Sequence, residues 1–405
     1  MKNFLLGLLI CLLGTATVWA GDKEESTMPR LRIAKCEWIR FKTAMGPQDA
    51  LRLVDAEGRE GSYVGDPIRG LNKDNEKAMV GKILGFEIIH PEENWDLMAE
   101  SGLPFPLRRA LDIAVWDLYG HVLDKPVAEL LGPIQRDKVA FYAAGFPNMT
   151  IEENVRAAKE AKERNLHGYK IYAYLEGHGK PRKADDPNAE QWLSDDMALA
   201  KAVGQAVPDG LLLMFYNGNS CNLEQAGKIA KVLDEHGYAV FFDPMPDGLE
   251  KYKQLRRTIE TPLCGPISGN YSKSLQWIEE EAVDIGEIDL YAGFTECFRF
   301  VRACEASGNC LDLHGGFPMD IYQFPLYGFA SDKTLPWIGW HTRSPKWIAV
   351  EKEFTGIEEK PERQPWIKRR QARHVDEEGY VRLVYKLPGM GLEPDWEWIR
   401  ENAGQ

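Results

Sequence analysis

Residues 211–244 read LLLMFY (211–216), then LEQAGKIAKVLDEH (223–236), then AVFFDP (239–244). The first and last runs are short and apolar, whereas the middle run places its apolar residues at the spacing of an amphipathic helix. A short apolar run, an amphipathic helix and a second short apolar run predict a β–α–β unit with parallel strands. This segment therefore indicates an α/β fold.

The same alternation extends on both sides of this segment, from Val139 to Trp340. Eight such strands in succession favour a closed (β/α)-barrel over an open sheet. The predicted strands are Val139–Ala144, Gly168–Tyr174, Leu211–Tyr216, Ala239–Pro244, Pro262–Ile267, Asp284–Leu290, Cys310–His314 and Leu335–Trp340. The last connection, from Asp320 to Leu335, shows no clear helical pattern.

The barrel is predicted to span residues 136–350 and to follow a smaller α+β capping domain at residues 32–135. In that domain the apolar runs Ile33–Phe41 and Lys82–Ile89 are interpreted as strands, and Leu107–Gly120 as a strong helix. Residues 351–405 are too many for one more β–α unit. We expect them to fold back onto the capping domain and complete it.

Residues 1–20 have the organisation of a signal peptide, and residues 21–31 that of a polar linker. Lys2 precedes the apolar run Phe4–Leu13, and Val18–Ala20 supplies a plausible cleavage point. The run is short for a membrane span, which needs about 20 apolar residues. We therefore expect a secreted or periplasmic protein without a stable membrane anchor after cleavage.

The chain has 405 residues and a net charge of -13. This argues against nucleic-acid binding, which normally uses a basic face. The expected partner is a small carboxylate or sugar, and a homo-oligomer is compatible with the sequence.

Several motifs resemble the mandelate racemase and muconate-lactonising branch of the enolase superfamily over about residues 32–402. The entry helix of that family is similar to ALDIAVWDL, followed by KPV and LLG, and its closing segment is similar to PGMGLEPDW. These motifs occupy Ala110–Leu118, Lys125–Val127, Leu130–Gly132 and Pro388–Trp396.

The resemblance implies removal of a proton from the carbon next to a carboxylate. In the family a magnesium ion stabilises the resulting enolate and is held by carboxylates at the ends of the third, fourth and fifth strands, because hard cations prefer oxygen ligands. A base on the second strand, or an Asp–His pair on the sixth and seventh, takes the proton.

The metal-ligand positions of the family hold other side chains in this sequence. They are Tyr216 on the third strand, Phe242 on the fourth, and Pro266 or Ile267 on the fifth. We therefore predict no metal cofactor. Gly339 replaces a glutamate of the eighth strand.

The candidate catalytic residues are those retained at family positions, namely Lys170, Asp289 and His314. Tyr172 stands where the second-strand base would be, and tyrosine titrates near pH 10, which makes it a poor base at neutral pH. Tyr172, Tyr216 and Trp337 are candidate substrate-binding residues, because aromatic faces suit sugar stacking. The alternative is that aromatic side chains only fill the space left by a metal.

Two further features near the mouth of the predicted barrel each have two possible interpretations. Asp243 follows the fourth strand and is expected to point outward, with a displaced metal site as the alternative. Residues 176–186 form either a solvated loop or a lid.

Two functional hypotheses remain from the sequence. The first is a metal-independent racemase, epimerase or dehydratase-like enzyme that uses His314 with Asp289. The second is a non-catalytic exported barrel that binds a sugar or carboxylate.

Overall fold

The computed structural model describes residues 29–44, 46–84, 86–173, 182–246, 248–266, 270–315, 319–341, 364–370 and 374–404. The predicted signal peptide, most of the linker, and residues 342–363 of the barrel end and C-terminal segment lie outside this part of the chain. Among the helices that the described residues form, none is long and apolar enough to cross a membrane.

The first unit is a four-stranded antiparallel sheet in the order β3-β2-β1-β4, with four helices. The entry helix α3 (Phe105–Leu123) packs on strands β2 and β3 of this sheet. The elements are β1 (Leu31–Thr43), β2 (Gly46–Asp55), β3 (Glu60–Gly65), α1 (Glu76–Ile83), β4 (Glu87–Ile88), α2 (Pro91–Glu100), α3 (Phe105–Leu123) and α4 (Val127–Leu131).

The second unit contains eight parallel strands in chain order, with β12 beside β5. Its strands are β5 (Lys138–Ala144), β6 (Gly168–Tyr172), β7 (Leu212–Tyr216), β8 (Val240–Phe242), β9 (Leu263–Cys264), β10 (Ile285–Asp289), β11 (Cys310–His314) and β12 (Trp337–His341). Its helices are α5 (Ile151–Glu163), α6 (Ala189–Ala206), α7 (Leu223–Glu235), α8 (Leu249–Arg256), α9 (Tyr271–Glu279), α10 (Phe294–Ser307) and α11 (Phe324–Phe329). Short 3₁₀ helices lie at Leu290–Ala292 and Met319–Gln323.

This arrangement confirms the predicted (β/α)-barrel with an N-terminal capping sheet. The barrel is nearly closed: β11 and β12 form no ladder among the described residues, but the indole of Trp337 on β12 donates to Asp312 on β11 at 2.8 Å. Strand β14 (Tyr380–Arg382) pairs with β5 in antiparallel orientation.

The C-terminal segment contributes β13 (Ile367–Arg370), β14 (Tyr380–Arg382), β15 (Leu392–Pro394) and α12 (Trp396–Glu401). Its end contacts the capping sheet, where Ala403 bridges to Phe41 and Arg400 pairs with Glu37 at 2.9 Å.

Buried carboxylates of the entry helix join the two units. Asp112 accepts hydrogen bonds from the backbone N–H and the hydroxyl of Thr295, at 2.8 and 2.6 Å, at the start of α10. Asp117 accepts from the Ser62 hydroxyl and from the backbone N–H of Met390, at 3.0 and 2.7 Å. The entry and closing motifs therefore hold the capping sheet, the barrel and the C-terminal segment together.

Three sequence predictions differ from the structure. Residues Lys82 and Ile83 end helix α1 instead of starting a strand, because Ile83 faces the core one helical turn after Met79 and Val80. The connection after Asp320 contains helix α11, which Pro325 initiates from its second position. The fifth barrel strand is only two residues long.

Candidate functional site

The barrel mouth contains a hydrogen-bonded Asp–His pair. Asp289 ends β10 and His314 ends β11, and the two residues are register partners in the parallel ladder. His314 Nδ1 lies 2.8 Å from Asp289 Oδ2. Asp289 Oδ1 accepts the backbone N–H of Tyr291 at 2.7 Å, which fixes the carboxylate.

The pair is accessible on its histidine side, since the His314 side chain is 35% exposed and that of Asp289 only 11%. Because Nδ1 is bonded to the carboxylate, Nε2 is the ring nitrogen that remains for proton transfer. The carboxylate also fixes the orientation of the imidazole ring.

Lys170 lies inside the barrel, where it is 2% exposed. Its Nζ is 3.6 Å from the ring centroid of Phe242 and 5.4 Å from that of Tyr216. Burial by itself lowers the pKa of Lys170, whereas the charged forms of Tyr172, Asp312 and Glu287 raise it, and the pKa lies above its ordinary value. Lys170 is therefore assigned the ammonium form near neutral pH.

The aromatic residues predicted to bind substrate lie at the same end of the barrel. Tyr172 and Tyr216 end neighbouring strands, and their ring centroids are 4.8 Å apart with a tilt of 49°. Both are partly exposed, as is Trp337. Burial raises the pKa of Tyr172, against the lowering effect of Lys170, so its phenol is protonated at neutral pH.

Gly339 on β12 stands against the ring of Tyr142 on β5. A Cβ at this position would lie 2.2 Å from the Tyr142 Cζ atom. Glutamate therefore cannot occupy this position while the Tyr142 ring keeps its place.

The positions of the family's metal ligands do not fit a magnesium ion. Tyr216, Phe242 and Pro266 offer no carboxylate, and Phe242 is fully buried. Ile267, the other candidate position on the fifth strand, lies outside the described residues. In the described part of the chain, no group of three or more His, Cys, Asp or Glu side chains is arranged to hold a metal ion.

Two buried carboxyl groups inside the barrel were not predicted from the sequence. Glu287 on β10 and Asp312 on β11 are register partners, and each is 2% exposed. Burial raises the pKa of Glu287 well above its ordinary value, and the Asp243 charge raises it further. Strand alternation was a signal for both, because each lies two residues before a predicted site residue and so shares its face.

Asp243 differs from the expectation that it points outward. It is 1% exposed, and its charge interacts with Lys170, His314 and Asp312. Phe242 faces the interior, so a regular strand would turn the next side chain outward, but Asp243 has a left-handed φ of 44°. Burial raises the pKa of Asp243 to about 7, against the lowering effect of Lys170 and His314.

Residues 176–181 of the tract considered as a lid lie outside the described residues. Arg182, the first described residue after this gap, donates a hydrogen bond to the buried carboxylate of Asp196 at 3.1 Å. Asn217, directly after β7, donates to the same carboxylate at 3.1 Å.

Comparison with known proteins identifies the family of this chain. The family model described as "Enolase C-terminal domain-like" matches residues 153–398. The chain belongs to this family. The resemblance to the mandelate racemase and muconate-lactonising branch is thereby confirmed, together with the enolase-type barrel.

Two curated relatives are similar in sequence. A putative L-rhamnonate dehydratase of Caldivirga maquilingensis is 24% identical over 334 residues, which are 78% of this chain and 72% of that protein. A D-galactarolactone cycloisomerase of Agrobacterium fabrum is 24% identical over 233 residues, which are 54% of this chain and 58% of that protein, less than two thirds of its length.

Solved structures share the fold. A D-glucarate dehydratase from Agrobacterium tumefaciens, complexed with magnesium, has a TM-score of 0.72 at 22% identity and covers 94% of this chain and 100% of its own. A mandelate racemase/muconate lactonizing protein from Paracoccus denitrificans has a TM-score of 0.72 at 19% identity, with coverages of 92% and 98%.

Proposed function

We propose that this protein binds an acid sugar or another hydroxy-carboxylate at the barrel mouth and transfers a proton on it without a bound metal ion. His314 acts as the acid–base group, Asp289 orients it, and Lys170 supplies a fixed positive charge. Such a reaction is a racemisation, an epimerisation or a dehydration. The observation that carries the proposal is the 2.8 Å bond between His314 and Asp289 at the accessible end of the barrel.

The charges inside the barrel support a site that stabilises an anion. Proton removal next to a carboxylate leaves an enolate, and preorganised charge is the largest source of its stabilisation. The Lys170 ammonium, whose pKa lies above its ordinary value, is suited to that task. The relatives whose names mention acid sugars support the substrate class.

The second candidate is a barrel that binds the same ligands without catalysis. It is favoured by the contact of Tyr172 with Tyr216 and by the complete burial of Phe242, because Tyr216 and Phe242 stand at metal-ligand positions of the family. The two candidates differ in one observable, the exchange of the substrate's C2 hydrogen with solvent.

The test uses purified mature protein, treated with EDTA and incubated in D₂O with a panel of aldonates and aldarates. Loss of the C2 proton signal is followed by ¹H NMR, and binding by calorimetry. We expect exchange with at least one acid, and we expect His314→Asn to slow it by at least about 100-fold, the usual contribution of a general acid–base group. Asp209→Asn, at an exposed carboxyl, is the matched control.

Binding without exchange would favour the non-catalytic barrel. Exchange that disappears with EDTA and returns with magnesium would contradict the metal-independent mechanism. Absence of both binding and exchange across the panel would contradict the substrate class.

We also propose that the protein is exported to the periplasm or the cell exterior with removal of residues 1–20. N-terminal sequencing of the protein recovered from its natural source tests this. A mature chain that still begins at Met1 would contradict it.

A further inference from the structure

Tyr291 connects the Asp–His pair of the barrel mouth to the capping domain. It lies in the 3₁₀ helix Leu290–Ala292, which directly follows Asp289 at the end of β10. Its backbone N–H donates to Asp289 Oδ1 at 2.7 Å, and Asp289 Oδ2 lies 2.8 Å from His314 Nδ1. The two oxygens of the carboxylate therefore have different partners, and Tyr291 is the partner that does not take part in proton transfer.

The side chain of Tyr291 is held by two residues of the capping domain. Its hydroxyl donates a hydrogen bond to the carboxylate of Asp66, the residue directly after β3. The guanidinium carbon of Arg109, on helix α3, lies 4.5 Å from the centroid of the Tyr291 ring, which is a cation–π contact. Burial, together with the bond to Asp66, raises the pKa of Tyr291. The phenol is therefore protonated and remains a donor at neutral pH.

Asp66 itself occupies a well-fixed position at the end of the capping sheet. Its carbonyl oxygen accepts a hydrogen bond from the hydroxyl of the fully buried Tyr63 at 2.9 Å. The Tyr63 ring stacks on that of Tyr322, with the centroids 6.1 Å apart and the planes inclined by 17°. Tyr322 in turn makes two hydrogen bonds with the backbone of Val64, at 2.9 and 3.1 Å. Asp66 therefore offers Tyr291 a rigid anchor.

The exposure of Tyr291 shows why this anchor matters. The residue is 39% exposed, whereas Arg109 beside it is only 6% exposed. Exposed side chains change rotamer within nanoseconds unless specific contacts hold them, so packing alone does not fix this ring. The bond to Asp66 and the contact with Arg109 are such contacts. Because the N–H that binds Asp289 belongs to the same residue, holding the Tyr291 side chain also limits the movement of that N–H.

We propose that Asp66 and Tyr291 are positioning residues, through which the capping domain holds the Asp289 carboxylate in the orientation that His314 needs for proton transfer. The inference rests on the proposed function and adds a residue of the capping domain to the same site. Neither side chain needs to touch the substrate. Misplacement of a reacting group by about 1 Å costs about 100-fold in rate, so a smaller loosening of Asp289 has a measurable effect.

The first measurement is made on the substrate-free protein. The proton on His314 Nδ1 gives a downfield ¹H NMR signal, which is assigned by its absence from His314→Asn. Tyr291→Phe removes only the hydroxyl, and Asp66→Ala removes its acceptor. We expect either variant to speed the exchange of this proton with water by about 10-fold, because a loosened Asp289 opens its bond to His314 more often.

The second measurement is the C2 hydrogen exchange of an accepted acid in D₂O. We expect either variant to lower kcat by about 10-fold and to leave KM within about two-fold, because positioning acts on proton transfer and not on binding of the ground state. The double variant should match the single variants, since both changes break one bond. Asp66→Asn keeps an acceptor oxygen, so it is expected to retain most of the wild-type rate.

Arg302→Gln is the matched control. Arg302 on α10 donates to both carboxylate oxygens of Glu92 on α2, at 2.8 Å each, so this pair also joins the barrel to the capping domain. Within the described part of the chain, no hydrogen bond links the pair to Asp289. We expect wild-type values in both measurements. Changes as large as those of Tyr291→Phe would overturn the inference, because any loosening of the two domains would then have the same effect.

Wild-type behaviour of Tyr291→Phe and Asp66→Ala in both measurements would overturn the inference and leave the proposed function intact. A raised KM with an unchanged kcat would also overturn it, because Tyr291 would then bind the substrate. Additive losses in the double variant would overturn it as well, since they would show two independent effects.

Near-UV circular dichroism checks that each variant is folded. If Asp66→Ala does not fold, Tyr291→Phe decides the question alone, because it deletes a single hydroxyl group. Wild-type protein that exchanges no C2 hydrogen would overturn the proposed function. The NMR measurement on the substrate-free protein would still decide whether the capping domain holds the Asp–His pair.

Discussion

Replacing Asp243 by Asn is expected to change how the stability of the protein depends on pH. Burial raises the pKa of Asp243 from 3.8 to about 7. The folded state therefore holds this proton more tightly than the unfolded state does. The stabilisation from the bound proton is complete below about pH 4 and is lost as the pH rises through about 7.

The size of this loss of stability follows from the linkage between proton binding and folding. Across the whole shift the loss is about 4 kcal/mol, at about 1.4 kcal/mol per pKa unit. Between pH 6 and pH 8.5, a range above the sequence pI of about 5.3, the loss is about 1 kcal/mol. Asparagine does not ionise, so the variant lacks this loss. Its free energy of unfolding should therefore rise, relative to that of wild-type protein, by about 1 kcal/mol over that range.

The assay is urea unfolding followed by tryptophan fluorescence at both pH values, with Asp209→Asn as the control. Asp243 interacts with further ionisable groups that are present in every variant, so their titration is common to all the curves. These groups are Lys170, His314, Glu287 and Asp312. Parallel stability–pH curves for wild-type protein and Asp243→Asn would refute the assignment of a raised pKa to a buried, interior Asp243.

Two other substitutions test the packing of the mouth. Gly339→Ala is expected to lower the free energy of unfolding by about 3 kcal/mol, because its Cβ would lie 2.2 Å from the Tyr142 ring. Urea unfolding measures this loss, and a loss below about 0.5 kcal/mol would show that the ring moves freely. Trp337→Phe is expected to cost about 2 kcal/mol, because it removes the indole donor of the buried Asp312. The cost should shrink in an Asp312→Asn background, and equal costs in both backgrounds would contradict a direct bond.

The regular part of the fold was predictable from the sequence. Short apolar runs alternating with amphipathic helices led to the barrel, and β10 and β11 lie within the predicted limits. The β–α alternation identifies strands but does not determine the limits of short elements, such as the two-residue β9 or the six-residue α11. Their limits depend on tertiary contacts that a local pattern does not contain.

The site was partly predictable. Asp289 and His314 were identified through the family resemblance, and the ladder register brings them together. Glu287 and Asp312 were missed although they share that interior face. The inward position of Asp243 depends on a left-handed backbone conformation, which strand alternation does not reveal.

The most direct test of the metal-independent site is a calorimetric titration of the mature protein, stripped with EDTA, with magnesium and with manganese. Tyr216, Phe242 and Pro266 offer no carboxylate at the strand ends. We therefore predict no binding heat at millimolar metal. Tight binding of one ion per chain, lost in Asp243→Asn, would contradict this account, because it would show that Asp243 has rebuilt a metal site.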